Sequence, residues 1–278
     1  MQGKVAVLTG GTSGIGLAAA EALAAQGVRI VLIARDRTRA AETMTRLQVA
    51  GPGAPHRVHL ADLSRVSQTR RVGEEIAAQE PHIDLLINNA GGVFGRRILT
   101  SEGLEMTFAT NHMAQFVLTQ TLRERLGATP GARIINTSSN AHASGKLNLD
   151  DLQASNSYSA IRAYATSKLY TVLFTRELAR RLVRTTANCF HPGFVASRFG
   201  SQAGGVVQAI APLAKLFAIS PQEGADTMIY LAASPQVVAT TGLYFYKRKA
   251  IPTSLAGQDD AAAARLWTAS EEIAAAIG

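Results

Sequence analysis

The segment Tyr164-Ala165-Thr166-Ser167-Lys168 sets a phenol and an ammonium four residues apart, so on a helix they share one face. A phenol, with a reference pKa of about 10, is a poor acid–base catalyst near neutrality. A neighbouring ammonium favours its phenolate form and brings it towards the working range. Such a pair occurs often by chance and gains weight from what precedes it. The apolar run Arg133–Thr137 ends in Ser138-Ser139. A hydroxyl there can hold a carbonyl oxygen and stabilise charge developing on it.

A second constellation lies near the N-terminus. Val5–Leu8 runs into Thr9-Gly10-Gly11-Thr12-Ser13-Gly14-Ile15-Gly16, after which a helical pattern begins. Glycines let a turn adopt positive φ and bring backbone N–H groups close to a pyrophosphate. The positive end of the following helix favours the negative charge. Gly14-Ile15-Gly16-Leu17-Ala18-Ala19 also fits G-x-G-x-x-A, but its glycines start well inside the turn. The better register is T-G-x-x-x-G-x-G, with the tight turn at Gly10.

The elements that must position these groups are legible as a rhythm. Strand candidates are Val5–Leu8, Arg29–Ala34, Arg57–Leu60, Ile83–Asn88, Arg133–Thr137 and Thr186–Phe190, with a late one at Leu243–Tyr246. Most are continuous apolar runs, as expected for strands covered on both faces. Helical patterns lie between them, among them Gly16–Gln26, Arg65–Gln79, Ser101–Leu126 and Ala163–Leu182. The expected fold is α/β: a Rossmann-like, doubly wound parallel sheet of about seven strands with helices on both faces. No linker or repeat divides the chain. One domain is expected, with a cofactor half over about 1–140 and a catalytic and substrate half over about 141–278. Ligands of such sheets sit at the carboxyl ends of the strands, where each motif above falls.

Composition narrows the function classes. The chain has 278 residues, 47% hydrophobic and only 17% charged, enough for a core and against disorder. The net charge of +8 raises a nucleic-acid partner, but the basic residues are scattered as pairs such as Arg70-Arg71, Arg96-Arg97 and Arg180-Arg181, which read as solvated helix faces. No nucleic acid is expected. No apolar run approaches the roughly 18 residues that span a bilayer. The N-terminus enters a strand at once, leaving no room for an anchor or signal peptide. A single cysteine, Cys189, suits a reducing compartment. The expectation is a soluble, cytoplasmic protein. The histidines show no metal-ligand spacing, and no metal is expected.

Taken together, these motifs resemble the short-chain dehydrogenase/reductase superfamily of the TGxxxGxG and YxxxK type, over residues 5 to about 246. The resemblance implies a nicotinamide cofactor bound at Gly10, Thr12, Ser13, Gly14, Ile15 and Gly16. It makes Ser139 the catalytic serine, Tyr164 the proton donor, and Lys168 the group that holds the nicotinamide ribose and tunes Tyr164. Asn111, in Thr110-Asn111-His112, matches the fourth catalytic residue, a proton relay through water to the lysine. Asn89, Ala90 and Gly91, within Asn88-Asn89-Ala90-Gly91, match the family's NNAG floor of the cofactor site. Asp62 and Leu63 resemble the pair lining the adenine pocket, although Asp62 also reads as a cap for the helix that follows. Pro192, Gly193, Val195 and Ser197 follow the sixth strand like the segment that holds the nicotinamide carboxamide, with Ser197 where the family usually has Thr.

An NAD-preferring site of this type ends its second strand with a carboxylate on the adenosine ribose. Here that strand ends in Ala34, followed by Arg35, Asp36 and Arg37. Guanidinium geometry suits phosphate, and in the resembled family an Arg at this point marks NADP(H) users. NAD(H), with Asp36 serving the ribose, is the competing reading. One departure narrows the branch: Tyr164 follows Ser139 by 25 positions, about twice the commonest interval. That interval, with Ser-Ser-Asn-Ala-His and the tail Gly-Leu-Tyr-Phe, resembles the retinol dehydrogenase and WW-domain oxidoreductase branch.

The function so implied is hydride transfer between NADP(H) and a carbonyl or alcohol. The apolar segment 199–219, where the family has a substrate lid, points to a lipophilic compound. The alternative is a non-catalytic NADP(H)-sensing or interaction module on the same fold. Such modules lose the catalytic Tyr or Ser, and this chain keeps both. Sugar-nucleotide epimerases carry TGxxGxxG, which is absent. The mostly polar stretch 140–163 and the limited apolar surplus of the Tyr164 helix predict a monomer or homodimer rather than a tetramer.

Overall fold

The computed structural model describes residues 1–193 and 219–277. The chain alternates strand and helix from its start. β1 (Val5–Thr9) leads to α1 (Gly14–Ala24), β2 (Arg29–Ala34) to α2 (Arg37–Ala50), and β3 (Arg57–Leu60) to α3 (Val66–Gln79). β4 (Leu85–Asn88) is followed by a short α4 (Met106–Phe108), a π turn over Ala109–Met113 and α5 (Ala114–Ala128). β5 (Arg133–Thr137) precedes the long α6 (Ala160–Arg181) and β6 (Thr186–Phe190). α7 (Pro221–Ala233), β7 (Tyr244–Tyr246), β8 (Lys249–Ile251) and α8 (Asp260–Ala276) complete the described residues.

The strands form one sheet in the order β3-β2-β1-β4-β5-β6-β7-β8. All pairings are parallel except β7 with β8, which is antiparallel. The doubly wound sheet is as expected, with eight strands where about seven were expected. The extra strand is the return arm of a hairpin. Its turn residues Lys247 and Arg248 both have positive φ, 46° and 63°, without the Gly or Asn that would signal such a turn in sequence.

Strand residues alternate between two cores. Val5, Val7, Val31 and Ile33 face α3, α5, α6 and α8, whereas Ala6, Leu8, Ile30 and Leu32 face α1, α2 and α7. Each fully buried Leu, Ile or Val contributes about 1.5–3 kcal/mol, so coverage on both faces fixes the register of every central strand. The first core is tightened by aromatic packing of Phe116 and Phe174 against Trp267 of α8, at 5.2 and 5.8 Å between ring centroids. Arg181 stacks over the same indole at 4.5 Å and pairs with Glu177, so this basic pair is not the freely solvated face expected from sequence.

One helix expectation shifts. The stretch expected as one helix from Ser101 starts only at Met106, because Gly103 turns the chain at φ 78° and Glu105 caps the helix by accepting from Thr107 N and Phe108 N, both at 2.8 Å. Helices at Arg37–Ala50, Pro221–Ala233 and Asp260–Ala276 add to those named from sequence. Among the described residues, no helix is long and apolar enough to cross a membrane.

Candidate active site

Strand order reverses between β2 and β4 around β1, which opens a crevice at the carboxyl edge of the sheet. The glycine turn fills its near side. Gly10 and Gly14 have φ of 68° and 55°. A Cβ on Gly16 would lie 2.2 Å from the Gly10 carbonyl oxygen, and one on Gly10 would lie 2.9 Å from the Ala90 backbone. Only glycine lets the turn fold this closely on itself and on the end of β4. Ser13 starts α1 without a side-chain bond to the helix, so the first-turn N–H groups are left for a ligand. Thr12 keeps its carbonyl in the turn, where it accepts from Arg39 Nη2 at 3.1 Å. Ile15 packs partly buried against the second core.

Asn89 and Ala90 brace this turn. Thr9 Oγ1 accepts from their backbone N–H groups at 2.9 and 3.0 Å, and Asn89 Nδ2 donates to the Gly10 carbonyl at 3.1 Å. Beneath them a buried amide chain runs across the sheet: Asn88 Nδ2 donates to Asn136 Oδ1 at 2.9 Å, and Asn136 Nδ2 to Thr175 Oγ1 at 2.9 Å. These bonds lock β4, β5 and α6 together below the crevice.

Ser139, Tyr164 and Lys168 meet at its far side. Ser139 lies just past β5, and its hydroxyl is hydrogen-bonded to the Tyr164 phenol. Ser138, by contrast, is buried and donates its hydroxyl to the Lys168 carbonyl at 2.9 Å. Tyr164 is half-buried, one turn before Lys168 on α6. Burial pushes the phenol up to about 12, with the Ser139 bond pulling the other way. The downward pull expected from the ammonium does not show: Lys168 Nζ stands 5.6 Å from the ring centroid and donates to the Thr137 carbonyl at 2.9 Å. Burial in turn lowers the lysine to about 8. Among the described residues that carbonyl is its hydrogen-bond acceptor, which leaves donor capacity on a buried ammonium.

Asn111 sits in the π turn, a rare geometry that recurs at functional sites. It accepts from Gly92 N at 2.8 Å and donates to the Gly92 carbonyl at 3.0 Å and to Ser167 Oγ at 2.9 Å. A Cβ on Gly91 would lie 3.1 Å from Asn111 Oδ1 and 3.5 Å from Lys168 Nζ, so both side chains face the bare backbone of Gly91. After β6, Pro192 and Gly193 (φ 86°) turn the chain at the same edge. Val195 and Ser197, and most of the 199–219 segment, lie outside the described residues.

Beyond the carboxyl end of β2, Arg35 is exposed. Asp36 caps α2, its Oδ1 accepting from Arg39 N at 3.0 Å. Asp62 does not cap α3: its Oδ1 accepts from Ser64 N and Ser64 Oγ at 3.0 and 2.8 Å, while Leu63 packs against the first core. The α3 cap is Glu102, accepting from Val66 N and Ser67 N at 2.5 and 3.2 Å. Glu102 arrives from 36 residues downstream, a separation no local sequence signal reveals.

The family model for short chain dehydrogenases matches residues 4–204. The chain belongs to the short-chain dehydrogenase family. A Streptomyces sp. (strain C5) protein that bears the provisional name daunorubicin C-13 ketoreductase DnrU is 41% identical over 280 residues, covering 100% of this chain and 94% of its own. Human retinol dehydrogenase 14 is 37% identical over 291 residues, covering 98% and 86%. The chain therefore stands near the retinol dehydrogenase branch of the family, and is an oxidoreductase for CH–OH and C=O groups. Among solved structures, the Pseudomonas aeruginosa RhlG/NADP active-site complex superposes with a TM-score of 0.69 at 29% identity, covering 88% of this chain and 94% of that one.

Proposed function

We propose that this dehydrogenase is an NADPH-dependent carbonyl reductase for lipophilic aldehydes or ketones, with the reverse alcohol oxidation open to it. The observation that carries this reading is the convergence of Ser139, Tyr164 and Lys168 at the sheet edge facing the glycine turn. The turn fits a dinucleotide because its close approach admits no side chain at Gly10 or Gly16 and its helix N–H groups are uncapped by Ser13. When bound, NADPH supplies the hydride.

The chain's own groups do the rest. Ser139 and Tyr164 hold the substrate oxygen through their hydroxyls. A phenol kept protonated by burial is a donor at neutral pH, and Tyr164 passes its proton to that oxygen as negative charge develops there. Lys168 offers its spare donors to the nicotinamide ribose, and its charge stabilises the phenolate left behind. Asn111, across Gly91 from Lys168, is placed for a water relay that returns the proton. Pro192, Gly193, Val195 and Ser197 take the carboxamide by resemblance, while Asn89, Ala90 and Gly91 floor the site and Asp62 and Leu63 line the adenine pocket.

Preference for NADP over NAD rests on three points. Ala34 carries no carboxylate, Arg35 is exposed just past β2 and would be the group to hold a 2′-phosphate, and Asp36 is engaged as a helix cap. The RhlG structure is a complex with NADP. A lipophilic substrate is in keeping with retinol and daunorubicin, which name two of the relatives. A single cysteine, Cys189, offers no partner for an intramolecular disulfide and suits a reducing compartment such as the cytoplasm. The test is a panel of aldehydes, ketones and quinones scored by NADPH oxidation. Turnover of at least one lipophilic class is expected, and none with any class would overturn the reading.

A further inference from the structure

The turn that follows Ser139 carries a histidine that the proposed chemistry does not use. His142 is 3% exposed and lies in the short 3-10 turn Asn140–Ser144. Its Nδ1 is 2.8 Å from the Ser139 carbonyl oxygen, and its Nε2 is 3.2 Å from the backbone nitrogen of Ser254. These two partners fix the proton. A carbonyl oxygen only accepts, so Nδ1 donates; a backbone N–H only donates, so Nε2 accepts. His142 is thus the neutral Nδ1–H tautomer, in keeping with burial lowering its pKa against the opposing Ser139 bond. Its ring packs on Tyr244 of β7 at 4.7 Å between centroids, and His191 stacks behind Tyr244 at 5.6 Å.

Both ends of this link are anchored on α6. On one side the turn closes at Gly145, where a Cβ would lie 2.6 Å from the Ala165 carbonyl, the residue after Tyr164. On the other, Ser254 opens the turn Leu255–Gln258, and a Cβ on its Gly257 would lie 3.0 Å from Val172, one helical turn beyond Lys168. The ring therefore joins two turns that both pack on α6, the one after Ser139 and the one after β8.

We infer that His142 is a positioning residue, which holds the Ser139 backbone through Nδ1–H and registers it against the 252–258 segment through Nε2, so that the serine hydroxyl meets Tyr164. The inference rests on the reading of Ser139 as the group that holds the substrate oxygen. A shift of about 1 Å at such a group costs up to about a hundredfold in rate. The segment 252–258, far from Ser139 in sequence, becomes part of the active-site frame.

Two measurements test it. Long-range nitrogen–proton NMR on protein labelled at histidine reads the tautomer without any turnover. A protonated Nδ1 and bare Nε2 are expected near neutrality, and a proton on Nε2 would overturn the inference. Kinetics then separates positioning from space-filling. His142→Phe keeps the ring against Tyr244 but loses both bonds, and kcat should fall about ten- to a hundredfold with NADPH affinity unchanged. His142→Asn, whose amide reaches the Nδ1 position and keeps the direct bond to Ser139, should recover more of kcat than His142→Gln, which reaches only the Nε2 position. Equal kcat in the Asn and Gln variants would overturn the inference, and that pair decides even where the Phe variant fails to fold. A parent enzyme that oxidises no NADPH would count against the proposed function, while the tautomer still tests His142.

Discussion

Burial acts in opposite directions on the two central side chains, raising Tyr164 to about 12 and lowering Lys168 to about 8. Lys168 is therefore charged below its value and neutral above it, and Tyr164 stays a donor across that range. With the ammonium needed to stabilise the phenolate, kcat/KM for carbonyl reduction should be level at lower pH and fall as pH rises through about 8. A pH profile with NADPH checks this, and a rate that stays level up to the ordinary lysine range of about 10 would show that the charge is not needed. At the other end of the cofactor site, Arg35→Ala should cost at least about tenfold in kcat/KM with NADPH, the scale of one charge-assisted hydrogen bond, and little with NADH. Equal losses with both cofactors would show that Arg35 does not read the 2′-phosphate. His142 shows what residue types alone leave out. It follows the Ser-Ser pair in sequence, yet its partner Ser254 is 112 residues away.

Elements were legible where periodicity was strong. β1, β2 and β5 are buried on both faces, and their apolar runs marked them directly. The Tyr164 helix was found to within three residues at its start, Ala160 against an expected Ala163. Signals failed where long-range contacts override local ones. The Lys247–Arg248 turn hides β8, and the cap of α3 comes from Glu102 rather than the nearby Asp62. The π turn around Asn111 interrupts what reads as one continuous helix. That cap gives an element-scale prediction. Glu102→Ala removes acceptors from Val66 N and Ser67 N, and should cost about 1 kcal/mol, or about 2–4 °C in Tm. Because Glu102 stands apart from the catalytic groups, kcat should be unchanged. Thermal melting paired with turnover checks both, and an unaltered Tm would deny the cap its energetic role.

For the whole molecule, the question is which faces remain for assembly. α6 is buried along most of its length, and Trp267 of α8 is wedged between Phe116 of α5 and Phe174 of α6. Arg176 and Arg180 tie α6 further to Asp260 at the start of α8. The chain's own C-terminal helix thus covers much of the apolar surface that α5 and α6 would offer a second copy. A tetramer built on that face is disfavoured, and a monomer or a dimer formed elsewhere is expected. Light scattering at micromolar concentration checks it, and a stable mass near four times 29.4 kDa would contradict it. Arg70 and Arg71 bond the Ala274 and Leu60 carbonyls, so this pair too is more engaged than the solvated helix face expected from sequence.

The central claim is that Tyr164 gives the proton. Tyr164→Phe keeps the ring and its packing and removes only the hydroxyl. Turnover of whichever carbonyl compound the parent reduces should drop by at least about a hundredfold, the scale of a lost general acid. NADPH should bind the variant as it binds the parent. Near-normal turnover in Tyr164→Phe, with cofactor bound, would contradict the account.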